Sequence, residues 1–330
     1  MALGEFDLIA RYFSDLGPKP KELLLGIGDD CALIRPPPGM DLAISMDTLV
    51  EGRHFLPEVD PRALGHKALA VNLSDLAAMG ASPALATLSL TLPDLDGARI
   101  TPAWLAAFAQ GLGELATATG TALIGGDTTR GPLSICIQVQ GWLKQGTGLR
   151  RSGAQPGDLI YVSGPLGQAA LGLKLRLGHW QASPAMARPL FEALDWPQPR
   201  LALGQAALHL ASSAIDISDG LGADLGHICR ASGLGANIEA ARLPLSPALK
   251  LWLAQTHDWS VILGGGDDYE LCLCCPPTQS PALEAAAIRL KQPLTCIGRI
   301  VEGSGLHCLM PNGEIQPLEH SGFDHFKDNG

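Results

Sequence analysis

The sequence predicts an α/β (α+β) protein of two domains, each a mixed β-sheet packed with helices. Three observations predict it. Short apolar runs of strand length alternate with longer segments whose apolar residues recur at helical spacing, in both halves of the chain. The 330 residues are 46% hydrophobic and 17% charged, so the chain can bury a large core and is not disordered. Aspartates sit in glycine- or serine-rich segments where apolar runs give way to loops. Domains are expected over residues 1–146 and 147–330, with the break in Lys144-Gln145-Gly146-Thr147-Gly148-Leu149.

Phe6, Ile9, Ala10 and Phe13 fall at helical spacing and open the chain with a short amphipathic helix. Asp41 to Met46 predicts a strand that delivers Asp47 to its end. Pro61 precedes a helix over Leu64 to Met79, with Asp75 on its polar side. Thr101-Pro102 is a cap and first-turn pair, and Gly120 a stop, for the next helix. Thr121 to Ile124 predicts a short buried strand ending at Gly125-Gly126-Asp127, and Ser134 to Trp142 another strand. In the second half, Leu159 to Ser163 predicts a strand that Gly164-Pro165-Leu166-Gly167 turns into a helix over Gln168 to Leu177. Ser183 to Pro199 holds four prolines and is expected to be a loop or broken connector. Further strands are expected at Ala214-Ile215, Val261 to Leu263, Leu271 to Leu273 and Thr295 to Ile297, with helices between them. No fixed-period repeat is visible.

Composition excludes several functions. The net charge is −10, and no Lys/Arg cluster exceeds Arg150-Arg151, which argues against nucleic acid or an anionic membrane as partner. No apolar stretch approaches the roughly 20 residues of a membrane span. Met1 to Asp7 has no basic region followed by an apolar one, so no signal peptide is expected, and the cytoplasm is the simplest location. Eight cysteines, whose one Cys-x-x-Cys spacing (Cys272 and Cys275) lies inside an apolar run of strand length, fit neither a disulfide scaffold nor a zinc site. Leu271-Cys272-Leu273-Cys274-Cys275 uses cysteine as a small hydrophobe.

Six aspartates share one local chemistry: Asp30 in Gly28-Asp29-Asp30, Asp47 in Ser45-Met46-Asp47, Asp75 in Asn72-Leu73-Ser74-Asp75, Asp127 in Gly125-Gly126-Asp127, and Asp216 and Asp219 in Asp216-Ile217-Ser218-Asp219-Gly220. A lone aspartate in a turn is most often a cap. Repetition of the pattern instead favours hard cations such as Mg²⁺, which take oxygen ligands and accompany polyphosphates. Asp216 and Asp219 are three apart and would share a face on a helical turn. The Gly164–Gly167 turn lacks the Lys-Ser/Thr ending of a P-loop, and an ordinary strand–turn–helix accounts for it better than a phosphate cradle. No Gly-x-Ser-x-Gly and no His-x-x-x-His occurs, which speaks against a serine hydrolase and a zinc site.

These segments resemble the thiamine-monophosphate kinase family of the aminoimidazole-ribonucleotide-synthetase-like (PurM-like) superfamily. The resemblance runs from about residue 5 to 326 and rests on several runs. They include Gly26-Ile27-Gly28-Asp29-Asp30, Asp47-Thr48-Leu49-Val50-Glu51-Gly52-Arg53-His54-Phe55, Asn72 to Gly80, and Gly125-Gly126-Asp127-Thr128-Thr129. Arg151-Ser152-Gly153-Ala154, Asp216 to Leu221, Asp268-Tyr269-Glu270-Leu271 and Gly322-Phe323-Asp324-His325-Phe326 complete the set. It implies ATP-dependent phosphorylation of thiamine monophosphate to thiamine diphosphate with several Mg²⁺. It implies metal ligation by Asp30, Ser45, Met46 through its carbonyl, Asp47, Asp75, Asp127, Asp216 and Asp219. Asp47, Asp75 and Asp127 would then be catalytic. Gly126, Asp127, Arg151 and Ser218 would contact ATP; His54, Glu270 and Phe323 would contact the thiamine moiety. A homodimer through the N-terminal sheets is implied by analogy. One departure is Asp267, where the family usually has Glu.

The implied chemistry is self-consistent. A phosphomonoester oxygen is already anionic near neutral pH, its second pKa being about 6, so a direct in-line transfer needs no strong general base. Repulsion between two anions is the obstacle, and bridging metals relieve it. Glu270 would offer charge and Phe323 a ring face to the thiazolium cation. Competing readings are another ATP-using member of the superfamily, a metal-dependent phosphohydrolase, and a non-catalytic nucleotide-binding protein.

Overall fold

A computed structural model of the chain describes residues 5–93 and 99–318. It divides into two compact units, Met1–Leu76 with Ala81–Thr147, and Ala77–Gly80 with Gly148–Gly330.

The first unit opens with α1 (Glu5–Tyr12), which buries Leu8 and, just past its end, Phe13, whose ring meets Phe108 edge-on. A small hairpin of β1 (Leu23–Leu25) and β2 (Leu33–Ile34) follows and carries Asp29 and Asp30 between its strands. The main sheet contains β3 (Met40–Val50), β4 (Ser82–Leu92), β5 (Ala122–Arg130) and β6 (Ser134–Lys144) in the order β3-β6-β4-β5. Only β4 and β5 run parallel.

Two helices, α2 (Pro61–Met79) as far as Leu76 and α3 (Pro102–Thr119), belong to this half. They cross at backbone distance: a Cβ on Gly65 would lie 2.0 Å from the Phe108 carbonyl oxygen, and one on Gly111 1.8 Å from that of Arg62. As the Thr-Pro pair and Gly120 predict, Thr101 Oγ1 accepts from the Trp104 N–H, and Gly120 ends α3 in the left-handed region.

Two expectations for this half change. β3 runs on to Val50, which places Asp47 inside the strand rather than at its end. β5 likewise continues through Gly125-Gly126-Asp127 to Arg130. Glycine is tolerated there because β4 lies so close: a Cβ on Gly126 would sit 1.8 Å from the Leu88 carbonyl oxygen.

The second unit is a seven-stranded sheet with helices on both faces. Its strands are β7 (Leu159–Val162), β8 (Ser213–Ile217), β9 (Gly235–Glu239), β10 (Glu270–Cys275), β11 (Thr295–Val301), β12 (Leu306–Leu309) and β13 (Ile315–Pro317), ordered β13-β12-β9-β11-β7-β10-β8. All pairings are antiparallel except β12 with β9. The helices are α4 (Gln168–Arg176), α5 (Pro184–Asp195), α6 (Leu201–Ala207), α7 (Leu221–Ser232), α8 (Pro247–Thr256), α9 (Ser260–Leu263) and α10 (Ser280–Leu290).

β10 explains its own cysteine-rich composition. Cys272 and Cys274 enter the core on one face, with Ile215, Ile217 and Leu225, while Leu271, Leu273 and Cys275 enter the core on the other, with Leu203 and Leu283. A strand buried on both faces cannot alternate polar and apolar residues. The proline-rich segment turned out to contain helix α5, with Pro184 at its start and Pro189 inside it. Val261 to Leu263 is helical, not a strand, because a short apolar run has no period that separates the two.

Candidate active site

In the first unit, β3 and α2 bring oxygen-bearing side chains together along one seam. Alternation along β3 turns Ser45 and Asp47 to one face. Asn72 and Asp75, three apart on α2, also share a face. The two periods mesh: Ser45 Oγ donates to Asp75 Oδ2 at 2.5 Å, and the Asp47 N–H donates to Asn72 Oδ1 at 2.9 Å. Asn72 is itself fixed by its amide N–H on the Ala68 carbonyl. Asp75 is the one half-buried residue in a run of α2 that is otherwise buried from Ala63 to Ala78. Helix α2 is thus a core helix with a single polar opening, not an amphipathic surface helix.

Asp127 is exposed on β5, and Asp30 is exposed on the hairpin, where its N–H donates to Asp29 Oδ1. His54 closes the tight turn after β3. Its Nδ1 accepts from the Val50 N–H at 2.9 Å, which leaves the ring proton on Nε2 in the neutral form. The Met46 side chain lies on the opposite face of β3 and is 60% exposed.

In the second unit, Asp216 is buried near the end of β8, and Ser218, Asp219 and Gly220 form the turn into α7. Asp216 and Asp219 therefore do not share a helical turn: one is on a strand and the other in the loop. That loop is wound around Asp224, in the first turn of α7. Asp224 Oδ2 accepts from the N–H groups of Ser218 and Asp219, both at 3.0 Å. Asp224 is only 3% exposed, and burial pushes its carboxyl up to about 7, with the Asp219 charge acting in the same direction.

The Gly164–Gly167 turn is filled from within the chain. Asp268 Oδ2 accepts from the Gly167 N–H at 2.7 Å, so a carboxylate occupies the helix end that a phosphate would need. Burial holds the Asp268 carboxyl well above the usual range, with the charges of Glu270 and Asp267 adding to it. Asp267 has φ 73°, a left-handed conformation that Asp tolerates better than most residues, and its Oδ1 accepts from the Tyr269 hydroxyl. This gives the Asp267 departure a local backbone reason.

Glu270 is 6% exposed and already paired with a cation. Arg200 Nε and Nη2 donate to its two oxygens at 2.7 and 2.5 Å, and Ser163 Oγ donates to Oε2 at 2.5 Å. Arg200 and Glu270, with Asp268, Trp196, Pro165 and Gln168, line a cavity of about 550 Å³. The bare negative charge expected of Glu270 is thus met inside the chain. Arg151 is exposed, and among the described residues no carboxylate pairs with it. Phe323 lies outside the described residues.

Among the described residues no three His, Cys, Asp or Glu side chains gather closely enough to cage a metal. The donors at the β3–α2 seam are nonetheless all hard oxygens. They fit Mg²⁺, which keeps several waters and binds through one or two carboxylates plus substrate phosphate rather than in an all-protein cage. Sequence reasoning missed Asn72, Asp224 and Arg200. The acidic first turn after Gly220 signals Asp224. Nothing local signals Arg200, which stands 70 residues from its partner.

Residues 28–143 match the family model described as AIR synthase related protein, N-terminal domain, and residues 155–309 match the corresponding C-terminal domain. Fold and matched segments together define the class: a two-domain protein of the AIR-synthase-related, PurM-like type. Thiamine-monophosphate kinase of Escherichia coli (strain K12) is 49% identical over 327 residues, covering 99% of each chain. A crystal structure of thiamine-monophosphate kinase from Stenotrophomonas maltophilia K279a aligns with TM-score 0.81 at 45% identity, over 89% of this chain and 92% of that one. AaThiL complexed with AMPPCP and TMP aligns with TM-score 0.77 at 29% identity, over 88% of this chain and 89% of that one. The chain belongs to the thiamine-monophosphate kinase family.

Proposed function

We propose that this protein phosphorylates thiamine monophosphate to thiamine diphosphate, with ATP as donor, in thiamine diphosphate biosynthesis. The observation that carries the reading is the paired oxygen seam of Ser45, Asp47 and Asp75 in a chain of this family. The complex of a relative with AMPPCP and TMP supports both substrates.

Asp47 and Asp75, with Ser45, Met46, Asp30 and Asp127, are the proposed Mg²⁺ ligands of the first unit; Asp216 and Asp219 are those of the second. When bound, Mg²⁺ supplies charge neutralisation for two anionic phosphates. The chain's own residues do the rest. Asn72 holds the Asp47 backbone, Ser45 holds the Asp75 carboxylate, and Asp224 shapes the loop that offers Ser218 and Asp219. Gly126, Asp127, Arg151 and Ser218 are the proposed ATP contacts. His54 is proposed to contact the thiamine moiety of the acceptor, as the family resemblance implies. The cavity lined by Trp196, Arg200 and Glu270 takes the acceptor's ring system, and Phe323 belongs to the same recognition. The acceptor oxygen is already ionised, so transfer is direct and no residue acts as a strong base.

We also propose a homodimer built on the outer face of the first sheet. There Leu42, Ile44 and Met46 are 44, 57 and 60% exposed in one row along β3. The proposed location is the cytoplasm. Among the described residues no helix is long and apolar enough to cross a membrane.

The test is release of ADP from Mg-ATP with thiamine monophosphate and with thiamine as acceptors. Thiamine monophosphate should turn over and thiamine should be very poor, because its alcohol would need a base. Equal rates would refute direct transfer to a phosphate oxygen. ADP release that ignores the acceptor would favour a phosphohydrolase. A rate that keeps rising with free Mg²⁺ after ATP is complexed supports more than one metal.

A further inference from the structure

We propose that Asp158 is a positioning residue for Arg151, fixing the loop from which that arginine reaches ATP. This rests on the assignment of Arg151 as an ATP contact and deepens it.

The loop runs from Arg150 to Asp158, at the entry to β7. Arg151 is exposed, and so are Ser152 and Gly153 after it. A side chain on such a segment is only as well placed as its backbone, because a loose loop must be ordered at an entropic cost before it holds a ligand. Here the backbone is tied on both sides of Arg151. Before it, the Arg150 carbonyl accepts from the Ala214 N–H of β8 at 3.0 Å. After it, the Gly153 N–H donates to Ser232 Oγ at 3.3 Å, and Ala154 enters the core with Ile160 and Ile215.

Asp158 closes the loop. It is only 3% exposed. Its Oδ2 accepts from the Gln155 N–H at 2.8 Å and from the Ser212 hydroxyl at 2.5 Å. Its own N–H donates to the Gln155 carbonyl at 3.0 Å, so the turn Gln155-Pro156-Gly157-Asp158 is bonded in both directions. Gln155 passes the restraint back towards Arg151, because its Nε2 donates to the Gly153 carbonyl at 3.2 Å. The other side of the turn is anchored to β11. The Ile300 N–H donates to the Asp158 carbonyl at 2.8 Å, and the Ile300 carbonyl accepts from the Gly157 N–H at 2.9 Å.

Ser212 makes the arrangement more than a local turn, since it stands 54 residues from Asp158. It directly precedes β8, the strand that carries Asp216 and leads into Ser218 and Asp219. Gly153 passes so close to it that a Cβ there would lie 2.6 Å from the Ser212 carbonyl oxygen. One buried carboxylate therefore sets the Arg151 loop against the strand that leads to Ser218, the other proposed ATP contact of this unit.

The test is a double-mutant cycle on KM for ATP, with thiamine monophosphate as acceptor. Asp158→Ala should raise KM for ATP about tenfold, the scale of losing one well-placed hydrogen bond to a charged group. KM for thiamine monophosphate should stay near its wild-type value. Asp158→Asn should restore most of the loss, because the carboxamide oxygen still accepts from Gln155 and Ser212. In an Arg151→Ala background, Asp158→Ala should change KM for ATP by less than about twofold, since it acts through the arginine. Should Asp158→Ala fail to fold, Ser212→Ala crossed with Arg151→Ala decides in the same way. Effects that multiply in the double variant overturn the proposal, as does an unchanged KM for ATP in Asp158→Ala. Failure of the underlying assignment looks different: Arg151→Ala alone then leaves KM for ATP at its wild-type value, and the proposal falls with it.

Discussion

Ser45 on β3 donates its hydroxyl to Asp75 on α2 at 2.5 Å, across 30 residues of sequence. One turn of helix away, Asn72 accepts from the Asp47 N–H. The strand and the helix therefore present their polar groups in register, and an otherwise apolar seam acquires one hydrophilic opening.

Asp75→Ala should lower turnover at least about a hundredfold, the scale of losing a group that stabilises charge in the transition state. The fold should persist, since Asp75 is half-buried and its partner Ser45 can turn to water. The check is kcat at saturating Mg²⁺ alongside a melting curve. Wild-type turnover would remove Asp75 from the proposed ligands.

Asp224→Ala should act on the nucleotide rather than the acceptor. It strips two backbone N–H groups of their buried partner, which costs about 1–3 kcal/mol of stability. The loop that carries Ser218 and Asp219 should loosen, and KM for ATP should rise while KM for thiamine monophosphate stays near its starting value. Parallel rises in both constants would mean a general loss of fold.

Ile44→Lys should yield a monomer. A lysine in the middle of the Leu42, Ile44 and Met46 row would bury an unpaired charge in any interface built there. Sedimentation of wild type and variant at the same concentration decides it. An unchanged mass would place the contact elsewhere.

Thiol reactivity should follow burial. Cys31 is exposed, Cys136 and Cys296 are half-buried, and Cys229, Cys272, Cys274, Cys275 and Cys308 are buried. Burial pushes Cys229 and Cys275 up to about 11 and Cys274 up to about 12, so at pH 8 their reactive thiolate forms are scarce. Brief maleimide treatment of the native protein should label Cys31 first and the buried five only after unfolding. Mass spectrometry of the labelled peptides reads the order. Early labelling at Cys274 would contradict the two-sided burial of β10.

The sequence by itself determined what rests on local chemistry. Thr101 and Gly120 bound α3 because capping is settled within a few residues. The apolar, cysteine-rich run of β10 announced a strand with cysteine as a small hydrophobe, and the structure added that both of its faces are buried. The order of the aspartate segments was enough to indicate the family, because each segment is a contiguous string.

Only the tertiary structure decided what depends on partners far along the chain. Val261 to Leu263 is too short for its period to tell helix from strand, and neighbouring elements made it α9. Asp268 carries the cap of α4 from 101 residues away, which no reading of the Gly164–Gly167 turn could supply. Glu270 reads as a free negative charge in sequence. Arg200 makes it half of a neutral pair, because charge is settled by what lies within a few ångströms and not by neighbours in the chain.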